Sequence, residues 1–139
     1  MAKSFDQRFV VTFQDTNVAG NVYFATYFRW QGVCRELLLA LLYPQVTDDL
    51  RKGTGFATRY AHMDFAHEAF LFEPVLIRTS VQKLTRIQVE FGFEFARDSD
   101  GHLLAKGAQG VVWTGADHSP SRMPNELYTG IAEYFSIEA

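Results

Sequence analysis

Residues 13–23 read Phe-Gln-Asp-Thr-Asn-Val-Ala-Gly-Asn-Val-Tyr and carry the chain from an alternating strand pattern into an apolar helical one. This is the form of an active-site loop. Gly20 lets the backbone approach a bound group closely, and the helix start that follows offers N–H groups without carbonyl partners, which suits an oxyanion. A carboxylate is the usual base in such a place, yet position 17 is Asn. Either the site is inactive, or it works without a base.

Arg35 is the second chemically informative position. Its guanidinium is always protonated and lies in a stretch otherwise rich in Leu, Phe, Trp and Tyr, so something anionic must be near it. One candidate is an acid such as Glu36 in an ion pair at a subunit interface; the other is the carbonyl or carboxylate of a substrate. Tyr23, Tyr27, Gln31 and Arg35 recur every four residues. They form a polar-tipped stripe along one side of a helix, about 18 Å long at 1.5 Å per residue, against which an extended acyl chain can lie. For the two tyrosines, plain core packing is the competing explanation.

The elements that must hold these residues follow from periodicity. Phe5, Phe9, Val11 and Phe13 alternate with polar residues, as in a strand with one buried face. From Asn21 to Leu42 apolar residues cover every side of a helical wheel, so that helix must be surrounded by protein. Tyr43-Pro44 ends it, and a polar loop with Asp48, Asp49, Arg51, Lys52 and Gly53 follows. Four strand-like runs come next: Gly55 to Phe65, Val75 to Leu84, Ile87 to Ala96 and Leu103 to Trp113, with Asp98-Ser99-Asp100-Gly101 as a hairpin turn between the last two. A short amphipathic helix is expected over Asn125 to Phe135, after Pro120 and Pro124. One long helix and a run of antiparallel strands make an α+β domain spanning 1–139, a curled sheet around a single helix. Such a sheet leaves an edge strand and an apolar surface to cover, so a dimer that continues the sheet is expected.

With 47% apolar residues and 13 Phe the chain is too hydrophobic for disorder. No apolar run reaches the length of a membrane span, and no signal-peptide pattern opens the sequence, so a soluble cytoplasmic protein is expected. The net charge of −3 argues against nucleic acid as the main partner. The single Cys34 has no second thiol to pair with, and His62, His67, His102 and His118 show no ligand spacing, so neither metal nor cofactor is expected.

The loop D-T-N-x-x-G-N-V-Y-F, Tyr27 four residues after Tyr23, and Arg-Trp-Gln-Gly-x-Cys-Arg-Glu over residues 29–36 carry a resemblance. They resemble the hotdog-fold thioesterases of the 4-hydroxybenzoyl-CoA thioesterase type and, more narrowly, the thioesterases of enediyne polyketide biosynthesis. The strand order and Pro74 ahead of the third strand fit as well. The resemblance implies a hotdog fold, an antiparallel sheet wrapped around one long central helix, assembled as a dimer or dimer of dimers. It places Asn17, Arg35 and Tyr27 at the catalytic centre and Gly20, Asn21, Tyr23, Phe24, Gln31 and Thr58 around the substrate. The backbone N–H groups near Tyr23 and Phe24 are the implied oxyanion hole.

In the broader family this loop reads D-x-D-x-x-G and its second acid assists hydrolysis; here Asp15 is the first acid and Asn17 replaces the second. The narrower group carries that Asn and, as the resemblance implies, releases a β-keto polyene from an acyl carrier protein and lets it decarboxylate. The chemistry is reasonable. Thioesters are electrophilic, and losing a base costs about 10²- to 10⁴-fold without forbidding the reaction. An Asp at 17 would repel the product carboxylate, whereas an Asn donates a hydrogen bond to it. Two other functions compete: a general acyl-CoA thioesterase using Glu36, Asp64 or Glu68, and a non-catalytic acyl-binding protein. Arg59, Lys83 and Arg86 suit a carrier protein or its phosphopantetheine phosphate, and equally a solvated face.

Overall fold

The computed structural model describes residues 3–138. Strand β1 (Phe5–Val10) leads through a 3-10 turn (Phe13–Asp15) to the long helix α1 (Phe24–Leu42) and a short helix α2 (Val46–Arg51). Strands β2 (Gly55–Phe65), β3 (Pro74–Leu84), β4 (Gln88–Arg97) and β5 (Leu103–Thr114) follow, then helix α3 (Asn125–Tyr134). All five strands pair antiparallel in the order β1-β3-β4-β5-β2. The sheet curls around α1, which makes this a hotdog fold, as expected.

One face of the sheet is apolar. Phe91, Phe93 and Phe95 on β4 point inward and are almost completely buried, Trp30 of α1 stacks over Phe95, and Tyr27 meets the same ring edge-on. Phe9 of β1 stacks on Trp30 from the other side. The outer face is polar, and its cross-strand neighbours alternate in sign. Asp6, Arg78, Glu94, Lys106 and Asp64 lie side by side across β1, β3, β4, β5 and β2, so each charge has opposite charges beside it.

Several sequence expectations need correction. Asn21, Val22 and Tyr23 are not helical: Val22 bridges to Thr16 and Asn21 to Phe70, which spends their backbone groups outside α1. Phe13 is not in the first strand, because β1 stops at Val10; its ring stands out in solvent, edge-on to Phe72. The polar stretch after Pro44 is partly helical, with Asp48 and Asp49 in the first turn of α2 and Arg51 in the last, charges that suit the helix ends. Nor is α1 enclosed on every side. Phe24, Leu37 and Leu41 are exposed. His67 and His102, which show no ligand spacing in the sequence, meet ring to ring at 4.2 Å between centroids.

A β-bulge lies at Arg59, between Thr58 and Tyr60. Residues two apart normally share a sheet face, but the extra residue sends Thr58 inward toward α1 and Tyr60 outward, over Gly110 and bonded to Glu90. Gly107, on the inner face of β5, makes room for the helix. A Cβ there would lie 2.5 Å from the His62 carbonyl oxygen and 2.6 Å from Gln31 Nε2. The neighbouring strand backbone cannot yield cheaply, so Gly107→Ala should destabilise the fold by about 1–3 kcal/mol, read as a lower urea midpoint at unchanged slope.

Candidate active site

The loop between β1 and α1 is tied down by Asp15. Its carboxylate accepts from the Thr12 N–H (2.9 Å), the Thr12 hydroxyl (3.1 Å) and Arg29 Nη2 (2.9 Å). Its backbone carbonyl accepts from the Tyr23 N–H at 2.9 Å and the Thr26 hydroxyl at 3.0 Å. With both carboxylate oxygens engaged, Asp15 is a scaffold residue and not a free base.

Beyond it the chain makes a tight excursion. Asn17 donates its N–H to the Asn21 carbonyl, the Gly20 N–H donates back to the Asn17 carbonyl, and Gly20 takes the left-handed conformation at φ +89° that a side chain would strain. The Asn17 side-chain oxygen accepts from the Ala19 N–H at 2.9 Å, which leaves its NH₂ group as the free end. Asn17, Asn21, Tyr23, Phe24 and Tyr27 all line one open cavity of about 410 Å³ at the start of α1. Five of the nine expected site residues therefore converge. Phe65, His67 and Glu68 complete the wall, and Glu68 accepts a hydrogen bond from Asn21 Nδ2 at 3.0 Å.

The expected oxyanion hole needs one revision. The Tyr23 N–H is already spent on the Asp15 carbonyl, so of these two it is Phe24, the first residue of α1, whose N–H makes no hydrogen bond to a described residue. Asn17 Nδ2 is the second available donor on the same cavity.

Gln31 and Arg35 lie elsewhere. Gln31 is completely buried, its Nε2 donating to the His62 carbonyl and Met63 Sδ, while its Oε1 has no partner. Arg35 is mostly covered, and burial lowers its pKa from the ordinary arginine value while Glu36 pulls the other way. Its Nη1 donates to Thr58 Oγ1 at 3.1 Å and Gln109 Oε1 at 2.8 Å. Arg35 and Glu36 border a second cavity of about 340 Å³ between α1, α2 and β2, with Leu39, Val46, Leu50 and Phe56 as apolar walls. Arg35 is thus joined to Thr58, but within one chain it faces a different hollow from Asn17. The Glu36 ion pair is not formed. Of the basic residues suited to a carrier, Arg86 is occupied, bonding Asn125 and lying over the Tyr128 ring.

Gln109 and Phe65 were not expected at the site. Gln109 had a visible signal, a polar side chain within the otherwise buried run of β5. Phe65 had none beyond closing β2. Among the described residues no three His, Cys, Asp or Glu side chains stand close enough to share a metal ion. No helix there is long and apolar enough to cross a membrane.

Residues 11–131 match the family model of the thioesterase-like superfamily. The chain belongs to this family. It is an acyl thioester hydrolase, and its fold is shared with solved thioesterases. The dynemicin thioesterase, known from crystal structures addressing polyene binding, is 36% identical, with 95% of this chain and 97% of that one covered at a TM-score of 0.86. A 1,4-dihydroxy-2-naphthoyl-CoA thioesterase from Synechocystis superposes at 0.87 over 94% and 97% with 19% identity. A gentisyl-coenzyme A thioesterase does so at 0.80 over 92% and 99% with 25% identity. Comparison with curated proteins yields no match.

Burial pushes the Tyr27 phenol of this thioesterase up to about 12 from 10.0, helped by the charges of Glu68 and Glu73. It likewise pushes the Cys34 thiol up to about 12 from 9.0. Tyr27 is therefore a neutral hydroxyl at any working pH. Because folding favours the protonated form of both groups, their contribution to stability is complete below pH 9.0 and is lost as pH rises toward 12. Urea midpoints should hold up to about pH 9 and fall as pH rises from there toward 12, and the fall should be smaller in Cys34→Ala.

Proposed function

We propose that this thioesterase hydrolyses a β-ketoacyl thioester, with an unsaturated polyketide chain, from the phosphopantetheine arm of an acyl carrier protein. Water adds to the thioester carbonyl, the carbon–sulfur bond breaks, the thiol leaves with a proton, and the freed β-keto acid loses carbon dioxide. The observation that carries this reading is the amide at position 17. Its oxygen is locked by the Ala19 N–H and its NH₂ is free on the cavity that Tyr23, Phe24 and Tyr27 line. A donor in that position stabilises negative charge arriving on the carbonyl oxygen and does not repel a carboxylate product. Similarity to the dynemicin thioesterase and its polyene ligand supports the acyl class. Exposed Arg59 and Lys83 suit the phosphate of a phosphopantetheine arm, which supports a carrier protein as the partner.

Asn17 and Arg35 act on one substrate if two chains share each site. Phe24 and Arg35 are about 16 Å apart along α1, too far for one short acyl head. However, β2 is an edge strand, and apolar residues of α1 beside it are uncovered. A second copy pairing antiparallel along β2 brings the Arg35 and Thr58 end of one chain to the Tyr27 and Phe65 end of the other. A two-fold dimer of this kind closes the sheet edge and completes two composite sites.

Glu68 offers a second reading, because it lines the cavity of Asn17 and is held by Asn21. In that case it serves as general base toward simple acyl-CoA thioesters, and Glu68→Gln abolishes their turnover. Under the leading reading Glu68→Gln leaves turnover within about threefold of the native rate, while Arg35→Ala lowers it roughly tenfold or more in a folded protein. Thiol release from matched β-ketoacyl and saturated thioesters, with carbon dioxide measured alongside, reads both. Composite sites make a further demand. Asn17→Ala and Arg35→Ala chains, each strongly impaired alone, should regain about a quarter of native activity when unfolded together and refolded as mixed dimers. No recovery would place each site within one chain.

A further inference from the structure

Arg35 is held by neutral groups only. Nη1 meets the Gln109 amide oxygen and the Thr58 hydroxyl, and among the described residues no carboxylate lies within ion-pair distance of the guanidinium. Nε is buried with no partner at all. Nη2 likewise makes no hydrogen bond to a described residue. Together these two nitrogens form the side-on edge that binds a carboxylate through two parallel hydrogen bonds. The anchored end is therefore fixed, while Nε and Nη2 keep N–H groups without a partner among the described residues.

Gln109 is set there by the sheet. It is on the inner face of β5, opposite Phe91 of β4 and Ala61 of β2, and is only 5% exposed. Thr58 reaches the same nitrogen because of the bulge at Arg59. A Glu at position 109 has the same length and would make the same hydrogen bond, but it would cancel the charge it holds. A buried guanidinium is normally matched by an acid, so a neutral acceptor at this distance is the informative choice.

We propose that Gln109 is a positioning and specificity residue that keeps Arg35 immobile yet uncompensated, so that its charge is spent on an anionic acyl ligand. The ligand class is a carboxylate at the head of an apolar chain, such as the acid released from the thioester. The inference rests on the hydrolytic reading above for its biological meaning, although the charge itself can be tested without turnover.

The test compares two stable ligands by calorimetry, a medium-chain fatty carboxylate and the methyl ketone of the same length. The native protein should prefer the carboxylate. Gln109→Glu should weaken carboxylate binding roughly tenfold or more while changing ketone binding less than about threefold, with the melting temperature maintained. Thr58→Asp, at the more exposed of the two holders, should act in the same direction, and it carries the test if the first variant does not fold. Equal losses for both ligands, unchanged carboxylate affinity in both variants, or no carboxylate preference in the native protein would overturn the proposal. Thioester turnover separates this from the hydrolytic reading. A carboxylate-specific loss in a protein that cleaves no β-ketoacyl thioester keeps the charge role and removes the reaction. Cleavage without a carboxylate-specific loss does the reverse.

Discussion

Asp15 is the constraint on which the active end of the molecule depends. One residue accepts five hydrogen bonds, three at its carboxylate and two at its carbonyl, from donors in the preceding turn, the helix start and the first turns of α1. A carboxylate nearly withdrawn from solvent is tolerable only when satisfied in this way. The tie decides the rest of the site. It consumes the Tyr23 N–H, leaves the Phe24 N–H free, and starts the narrow excursion between Thr16 and Val22 in which Asn17 pairs with Asn21 and closes the turn with Gly20. The first acid of the motif is structural, and the second position, freed from that duty, faces the cavity.

The other end of α1 follows a different rule. There a cation, not an anion, is covered by protein, and the sheet supplies oxygens without charge. The two ends thus have complementary electrostatics: a neutral donor and a backbone N–H at the loop, a full positive charge near α2. On the composite-site proposal, a thioester that ends as a carboxylate needs first the one and then the other, and the unpaired β2 edge is where a second chain would bring them together.

Much of the fold was legible because its signals are periodic. The four later strands appear within a residue or so of where alternation placed them, and α3 buries Leu127, Ile131 and Phe135 as its spacing demands. Helical periodicity failed at the start of α1, because isolated bridges to Thr16 and Phe70 outbid the helix for Asn21 and Val22. Phe13 followed the strand alternation into a turn that no longer obeys it. In α2 the acidic residues looked like loop chemistry and were helix-start chemistry. The loop residues of the site were readable from type and spacing; the hydrogen bond between Arg35 and Thr58 was not, because nothing in the sequence relates the two positions. The separation of Asn17 from Arg35 was not, since the stripe along α1 gives direction around the helix but not which hollow each tip enters. The inward turn of Thr58 depended on the bulge at Arg59, which nothing in the local sequence announces.

The pairing pattern also orders assembly in time. Contacts that shape the loop span few residues, with Thr12, Asp15, Tyr23, Thr26 and Arg29 all close in the chain, so this module can form early. By contrast β1 must find β3, joining Phe5 to Thr79, and β2 must find β5, joining Phe65 to Ala105. Closing such long loops is the slow part of folding. By sequence separation alone the loop corner is the part expected to form first, and its wall from β2 is added when β2 pairs with β5.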